Sequence, residues 1–225
     1  MKRKLNILLV FQSGGDYSIT DVILLARKLV ENTTMEISVN CLCDSTNKVQ
    51  MLHNVKLIPM TCKAWKGWWS KMNMFSPRLI NFRPFLYIDL DTAITGNIDF
   101  LVKKVKNDLV TLSDFYRPRQ IGSAVMWIPA NNKLIDRIWN RWISEPEKWM
   151  KKFKGDQDFL FNCCKDSTVK FWQDLTDKIS SFKPEPSRLW LKELPKNISV
   201  VCFHGKPRIG QAVESIEWVK NYCNE

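Results

Sequence analysis

Two aspartates one residue apart, Asp89 and Asp91, directly follow an apolar segment of strand character, 85–88. An Asp-x-Asp pair at the end of a buried strand can hold a divalent cation against a diphosphate. The hard carboxylate oxygens suit Mg²⁺ or Mn²⁺, and the cation neutralises charge on a departing diphosphate. The pair alone is not specific, because a second one stands at Asp156 and Asp158. A structural role as a helix or turn cap is the alternative.

A second apolar strand, 200–203, ends in His204-Gly205-Lys206. His204 could complete a metal site with Asp91, and Lys206 could bind a phosphate as a point charge. A histidine after a strand is more often structural than a ligand. The metal assignment therefore depends on the Asp-x-Asp strand lying nearby.

Two further segments carry residues suited to a substrate site. The stretch 122–127 begins a strand with a glycine and Ser123, as needed where backbone lies against a substrate. The stretch 154–160 opens a helix with a polar cluster that includes Asp156 and Gln157. Both segments are predicted to face a ligand.

The elements that must position these residues start at the amino terminus. The run 5–11 predicts a strand, 12–17 a glycine-bearing loop, and 19–31 an amphipathic helix. Ser18 or Thr20 could cap that helix. The loop lacks both Gly-x-Gly-x-x-Gly and the P-loop lysine, so neither a dinucleotide-binding fold of the usual kind nor a P-loop enzyme is indicated.

Strands and helices then alternate along the chain. Further strands are predicted at 36–42, 55–58, 109–112 and 124–128, and helical spacing at 65–75 and 132–144. This alternation predicts an α/β fold with a mostly parallel central sheet and helices on both faces. The length of 225 residues with 45% hydrophobic content fits one domain spanning residues 1–225.

Composition bears on location and partners. No apolar run reaches transmembrane length and no signal peptide is recognisable, so a cytoplasmic protein is expected. The seven cysteines show no zinc-like Cys-x₂-Cys pair, and most are expected to be buried as small apolar residues.

The formal net charge of +11 favours an anionic partner, although solvated helix faces are the alternative. The stretches 133–154 and 178–208 each hold seven Lys or Arg.

Six motifs in order make the chain resemble a known family: small bacterial and phage glycosyltransferases of the GT-A fold, related in pattern to the family 8 group of glycogenin and lipopolysaccharide galactosyltransferases. The resemblance covers residues 5 to 208. The motifs are Gly14-Gly15-Asp16-Tyr17, Gly67-Trp68-Trp69-Ser70-Lys71, Tyr87-Ile88-Asp89-Leu90-Asp91-Thr92, Gly122-Ser123, Gly155-Asp156-Gln157-Asp158 and Cys202-Phe203-His204-Gly205-Lys206-Pro207. The chain departs from the family after Pro207, where Arg208 and Ile209 stand instead of the common Pro-Trp ending.

The resemblance implies a GT-A, Rossmann-like nucleotide-diphospho-sugar transferase fold and a role for each matched residue. The metal would be Mn²⁺ or Mg²⁺, bound by Asp89, Asp91 and His204, and Asp89 would also contact the ribose. Donor-binding residues would be Gly14, Gly15, Asp16, Tyr17, Lys71, Asp89, Ser123, Gly205 and Lys206. Asp156 would bind hydroxyls of the donor sugar, and Gln157 would lie near the anomeric carbon.

The resulting hypothesis is a metal-dependent glycosyltransferase that moves a sugar from a nucleotide sugar, a UDP-sugar in particular, to an acceptor hydroxyl. No carboxylate is placed as an acceptor base, which favours retention of configuration. An anionic glycan, a lipid or modified DNA would be the acceptor. Alternatives are a phage-type DNA glycosyltransferase acting on hydroxymethylated bases, a nucleotidyltransferase, whose Gly-rich triphosphate loop is not found, and a non-catalytic basic nucleic-acid-binding protein.

Overall fold

The computed structural model describes residues 4–45 and 54–224. Its strands are β1 Leu5–Phe11, β2 Ile37–Cys43, β3 Val55–Pro59, β4 Phe85–Ile88, β5 Thr92–Ile94, β6 Val110–Ser113, β7 Ile121–Ile128, β8 Lys170–Phe171, β9 Ile179–Ser181 and β10 Val200–Cys202. Its α-helices are α1 Ile19–Glu31, α2 Phe100–Lys103, α3 Lys133–Ser144, α4 Pro146–Lys152, α5 Asp156–Cys164, α6 Ile209–Ala212 and α7 Glu217–Asn224. Three 3₁₀ helices cover Gly67–Phe75, Pro77–Phe82 and Trp172–Asp174.

Seven strands form the central sheet in the order β3-β2-β1-β4-β7-β6-β8. The pairs from β3 to β4 and the pair β6-β8 are parallel, whereas β7 runs antiparallel to both β4 and β6. The predicted α/β class with a mostly parallel sheet is confirmed. The predicted strand 124–128 begins earlier, at Ile121, so Ser123 lies inside a fully buried strand.

Side chains alternate across the sheet and build a core on each face, as the period of a strand requires. Ile7 and Leu9 of β1 pack in one core with the apolar side of α1. Leu8 of β1 packs in the other core with α3, α5 and the 3₁₀ helix 67–75. Helices therefore cover both faces of the sheet, as predicted. Trp65 to Phe75, predicted at helical spacing, is a 3₁₀ helix over its last nine residues.

A small second sheet, in the order β5-β10-β9, connects the C-terminal part of the chain to the strand after the aspartates. β10 pairs antiparallel with β5, placing Cys202 opposite Thr92. One step beyond that pair, the Phe203 amide donates a 2.8 Å hydrogen bond to the Asp91 carbonyl. The residues after β10 are thereby held beside the residues after β4.

The cysteines are all free, and five of the seven are buried, in agreement with the sequence prediction. Within the described ranges, no helix is long and apolar enough to cross a bilayer.

Candidate active site

Asp89 lies at the carboxyl end of β4, and both of its carboxylate oxygens are hydrogen-bonded. The Tyr87 hydroxyl donates to Oδ1, and the Lys71 ammonium donates to Oδ2 at 2.7 Å. Lys71 lies on the 3₁₀ helix Gly67–Phe75, and the side chains of Asp89 and Lys71 are only 16% and 14% exposed. This ion pair joins two of the predicted donor-binding residues.

Lys71 also connects Asp89 to a buried pair formed by Ser123 and Asp156. The Ser123 hydroxyl donates a 2.6 Å hydrogen bond to Asp156 Oδ2, and Lys71 Nζ lies 3.1 Å from Ser123 Oγ and 3.5 Å from the same Asp156 oxygen. Burial raises the pKa of Asp156, and the charge of Lys71 opposes that rise. Burial would lower the pKa of Lys71, but Asp156 and Asp89 outweigh it and hold the pKa above its ordinary value. The structure therefore unites β4, β7, α5 and the 3₁₀ helix in one charged network.

Asp91 is buried, with 7% of the residue exposed, and its Oδ2 accepts two hydrogen bonds. The Tyr17 hydroxyl donates at 2.9 Å and Arg208 Nη1 donates at 2.5 Å. Burial, and next the negative charge of Asp89, raise the pKa of Asp91 to about 6, while Arg208 opposes the rise. A carboxylate whose pKa is raised by a neighbouring carboxylate is a favourable place for added positive charge.

An open cleft of about 400 Å³ lies beside Asp91 and is bounded by the loop after β1 and by the segment after β10. Gly15, Asp16 and Tyr17 line the first side, and Lys206 and Arg208 line the second. Four of these five residues are among the predicted donor-binding residues, and the structure brings them together around Asp91.

Two predicted glycines have left-handed backbone conformations at the turns that border this cleft. Gly14 has φ +81° and Gly205 has φ +74°, values that favour glycine because it lacks a Cβ. The Gly205 turn sends the chain back toward the cleft, so that the Lys206 carbonyl accepts a 2.7 Å hydrogen bond from Lys183.

His204 contacts residues other than the two aspartates. Its Nε2 lies 2.6 Å from Ser181 Oγ, and its ring packs against Phe115 and Tyr116, with centroids 5.3 and 4.8 Å away. Burial and next the nearby Lys183 charge lower the pKa of His204 to about 4, so the imidazole is neutral near pH 7. A neutral imidazole is the form that binds metals.

The predicted ligand set of Asp89, Asp91 and His204 does not appear as a preformed cluster. Across residues 4–45 and 54–224, no three His, Cys, Asp or Glu side chains are grouped so that they could hold a metal ion. His204 instead bonds Ser181 on β9. The metal role of the three residues stays a prediction.

The two aspartates fit a divalent cation by their chemistry. Asp91 Oδ2 takes both hydrogen bonds described above, and no donor in the described part of the chain bonds Oδ1. The immediate network holds four carboxylates, on Asp16, Asp89, Asp91 and Asp156, against the two cations that bond them, Lys71 and Arg208. Carboxylate oxygens are hard ligands of the kind that suit Mg²⁺ or Mn²⁺.

The fold is similar to those of solved glycosyltransferases. The galactosyltransferase LgtC, solved in complex with donor and acceptor sugar analogues, superposes with a TM-score of 0.65 and 11% identity over 98% of this chain and 94% of LgtC. GlyE of Streptococcus pneumoniae TIGR4 gives a TM-score of 0.56 and 18% identity over 76% of this chain. WbbM, a bifunctional enzyme, gives 0.60 and 11% identity over 98% of this chain.

The chain has the GT-A fold. It spans 45% of the GlyE chain and 51% of the WbbM chain in those superpositions. No protein-family profile and no curated protein matches it in sequence. The resemblance read from the six motifs is therefore confirmed for the fold by TM-scores of 0.56 to 0.65, and at identities of 11 to 18% the similarity shows the fold alone.

The sequence motifs give no role to Arg208, which bonds the carboxylates of Asp91 and Asp16. Only two features of the sequence point to Arg208. It belongs to the basic stretch 178–208, and it stands where the family commonly has a Pro-Trp ending. Sequence reasoning also did not assign Ser181, the hydrogen-bond partner of His204. Gln157 lies half-buried in the first turn of α5, next to Asp156, as its motif requires.

Proposed function

We propose that this protein is a glycosyltransferase that uses a nucleotide sugar, specifically a UDP-sugar, together with Mn²⁺ or Mg²⁺. The observation that carries the proposal is the meeting of Asp91, Tyr17 and Arg208 at a cleft beside the Lys71-Asp89-Ser123-Asp156 network. Charged residues from distant segments converge at the carboxyl ends of β1 and β4. Ligands of open α/β sheets bind at such edges.

The nucleoside half of the donor is assigned to the loop after β1. Gly14, Gly15, Asp16 and Tyr17 border the cleft or its turn, and Asp16 is exposed enough to accept hydrogen bonds from a base. The ring of Tyr17 is half-buried and offers an apolar surface next to its hydroxyl. These residues would hold the base and ribose in place while the diphosphate reaches toward Asp91.

The diphosphate is assigned to the segment after β10. Gly205 gives the backbone a close approach, and the exposed Lys206 supplies a positive charge to phosphate oxygens. Asp89 and Asp91, with His204 as a third ligand, would hold the divalent cation. When bound, that cation neutralises charge developing on the departing diphosphate.

The donor sugar is assigned to Asp156 and its neighbours. The buried Asp156 carboxylate is oriented by Ser123 and Lys71 and would accept hydrogen bonds from sugar hydroxyls. Gln157 would lie near the anomeric carbon. We propose transfer with retention, in which the leaving phosphate takes the proton of the acceptor hydroxyl.

The acceptor is proposed to be an anionic molecule, because the chain carries a net charge of +11. An anionic glycan or a phosphorylated lipid fits this charge. The same charge favours hydroxymethylated DNA as a second candidate acceptor, since a duplex requires many phosphate contacts.

Hydrolysis of a nucleotide-sugar panel tests the proposal without the acceptor. Purified protein with Mn²⁺ should release UDP from at least one UDP-sugar, and Asp91→Asn should lower that turnover by about a hundredfold or more, since a charged ligand is lost without a change of shape. Asp108→Asn is the matched control, because Asp108 forms a partly exposed ion pair with Lys170. Turnover of Asp91→Asn within a few-fold of wild type at saturating metal would remove the assigned site.

A further inference from the structure

Arg208 connects the two sides of the cleft. Its Nη1 donates to Asp91 Oδ2 at 2.5 Å, its Nη2 donates to Asp16 Oδ2 at 3.0 Å, and its guanidinium carbon lies 4.9 Å from the centre of the Tyr17 ring. We infer that Arg208 binds the diphosphate of the donor and adds a fixed positive charge at the leaving group. This inference rests on the proposed function and assigns a residue that the family resemblance does not.

The guanidinium is held in the cleft by its surroundings. The Arg208 side chain is 26% exposed, and its Nε atom is buried without a hydrogen-bond partner in the described part of the chain. Each terminal nitrogen carries two N–H groups and uses one on a carboxylate. The remaining N–H of each nitrogen is available to an oxygen anion, and a planar fork of this kind matches phosphate oxygens.

Positive charge is concentrated on this side of the cleft. Lys206 lines the cleft two residues before Arg208, and Lys183 Nζ bonds the Lys206 carbonyl at 2.7 Å. Burial, followed by the charge of Arg208, lowers the pKa of Lys183, because the positive charges of Lys183 and Arg208 repel each other. An anion placed among Lys183, Lys206 and Arg208 relieves that repulsion.

The carboxylates that bond Arg208 also position it. Asp16 belongs to the loop assigned to the base, and Asp91 belongs to the pair assigned to the cation. A guanidinium between them lies where a diphosphate must pass from the nucleoside to the metal site. Arginine stays protonated at all working pH values, so its positive charge is present whether or not a divalent cation is bound. The contribution of Arg208 to diphosphate binding should therefore persist without that cation.

Calorimetry with UDP and with uridine measures the contribution of Arg208. Arg208→Gln should weaken UDP binding by about tenfold to a hundredfold, the loss expected for hydrogen bonds between charged groups, and change uridine binding by less than about threefold. The same loss should appear in EDTA and at saturating Mn²⁺. The matched control is Arg27→Gln, which removes equal charge from the exposed side of α1, where Arg27 pairs with Glu31.

Arg208→Lys is the second variant, because it keeps the charge between Asp16 and Asp91 if Arg208→Gln does not fold. Lysine lacks the planar fork, so its UDP affinity should fall by about threefold to tenfold while uridine affinity is kept. UDP affinity equal to that of Arg27→Gln in a folded Arg208 variant would overturn the role of Arg208 and leave the proposed function standing. A wild-type protein that binds no nucleoside diphosphate would overturn both.

Discussion

Ser123 and Asp156, 33 residues apart in the sequence, share a 2.6 Å hydrogen bond, and both residues are buried. Ser123 lies inside β7, and Asp156 begins α5, so the bond connects the sheet to the helix that covers it. Lys71 completes this unit by lying near both side chains. A buried carboxylate with a fixed orientation and a compensating cation is a preorganised acceptor of hydrogen bonds.

Removing the charge of Asp156 tests its assignment to the donor sugar. Asp156→Asn should lower sugar transfer or donor hydrolysis by about a hundredfold or more, because a preorganised charged contact to the reacting sugar is lost. UDP binding should stay within about threefold of wild type, because UDP lacks the transferred sugar that Asp156 is assigned to bind. Turnover and UDP affinity are measured on the same preparation. Asp166→Asn, at an exposed position just beyond α5, is the control.

Equal losses in UDP affinity and turnover for Asp156→Asn would contradict the sugar assignment. Ser123→Ala provides an intermediate case. Loss of its hydrogen bond should raise the pKa of Asp156 further, because that bond opposes the effect of burial. Its turnover should lie between those of wild type and Asp156→Asn.

The raised pKa of Asp91 predicts that stability and Mn²⁺-dependent UDP binding change with pH. Burial and the Asp89 charge raise its pKa to about 6 in the folded protein, against about 3.9 for an unfolded aspartate. The folded protein therefore binds a proton at Asp91 more tightly than the unfolded chain does, and this proton adds to the free energy of unfolding. The added stability is complete below the unfolded pKa and is lost as pH rises through about 6. A metal ligand must be ionised, so Mn²⁺-dependent UDP binding should strengthen as pH rises through the same range.

Calorimetry between about pH 5 and pH 8 measures this dependence. His204 does not account for it, because the pKa of His204 is lowered to about 4. The pH dependence of Mn²⁺-dependent binding near pH 6 should be smaller in Asp91→Asn than in wild type, because only the terminal phosphate of UDP then titrates in this range. A wild-type affinity that does not change across this range would contradict the assignment of Asp91 as a ligand.

The sequence predicted the residues of the site better than their contacts. Asp89 and Asp91 were recognisable because a buried strand precedes them, and the length of that strand places them at a sheet edge. The bond between Arg208 and Asp91 joins residues 117 positions apart and requires the pairing of β5 with β10. Both strands have three residues, too few for a periodic pattern to specify a partner.

The orientation of His204 could not be read from its motif either, because it depends on the pairing of strands that are too short for their sequence to specify a partner. Its partner Ser181 lies on β9, which pairs with β10 only through the small second sheet. Sequence reasoning assigned Lys71 and Asp156 to the donor site but did not pair them with each other. Their 3.5 Å contact depends on how α5 and the 3₁₀ helix pack on the sheet.

Trp68 and Trp69 are neighbours in the sequence with opposite environments. Trp69 is buried and stacks on Trp142 with centroids 5.2 Å apart, whereas Trp68 is 55% exposed. A Cβ atom on residue 155, which glycine lacks, would lie 3.5 Å from the indole nitrogen of Trp68, so Trp68 packs beside the residue immediately before Asp156. Trp69 therefore fills the core, whereas Trp68 is exposed beside the residue that precedes Asp156.

Alanine substitution should separate the two tryptophans. Trp69→Ala should lower the free energy of unfolding by roughly 3 to 5 kcal/mol, the usual loss for a buried aromatic side chain. Trp68→Ala should lower it by less than about 1 kcal/mol but weaken binding of a sugar acceptor, because sugar C–H faces stack on indole. Urea denaturation and acceptor KM values measure these effects. Unchanged acceptor KM in Trp68→Ala would show that Trp68 has no part in acceptor binding.

The net charge of +11 predicts how acceptor binding should respond to salt. Exposed lysines lie along α4 and its end, among them Lys148, Lys151, Lys152 and Lys154. If such lysines contact a polyanionic acceptor, its affinity should fall by about tenfold or more between about 50 and 200 mM salt, because bound counterions are released. Affinity for a nucleotide sugar should fall less, since it carries few charges.

Binding of candidate acceptors is therefore measured at both salt concentrations, with an anionic glycan, vesicles of anionic lipid and duplex DNA carrying hydroxymethylated bases among them. Replacing Lys148, Lys151 and Lys152 with glutamine should reduce the salt dependence for the true acceptor and leave that for the nucleotide sugar unchanged, because α4 carries no residue that lines the donor cleft. Steep dependence for DNA alone would favour the DNA acceptor over the glycan and the lipid. A flat response for every accepted substrate would show that the net charge does not act through acceptor binding, and that the exposed lysines serve as solvated helix faces.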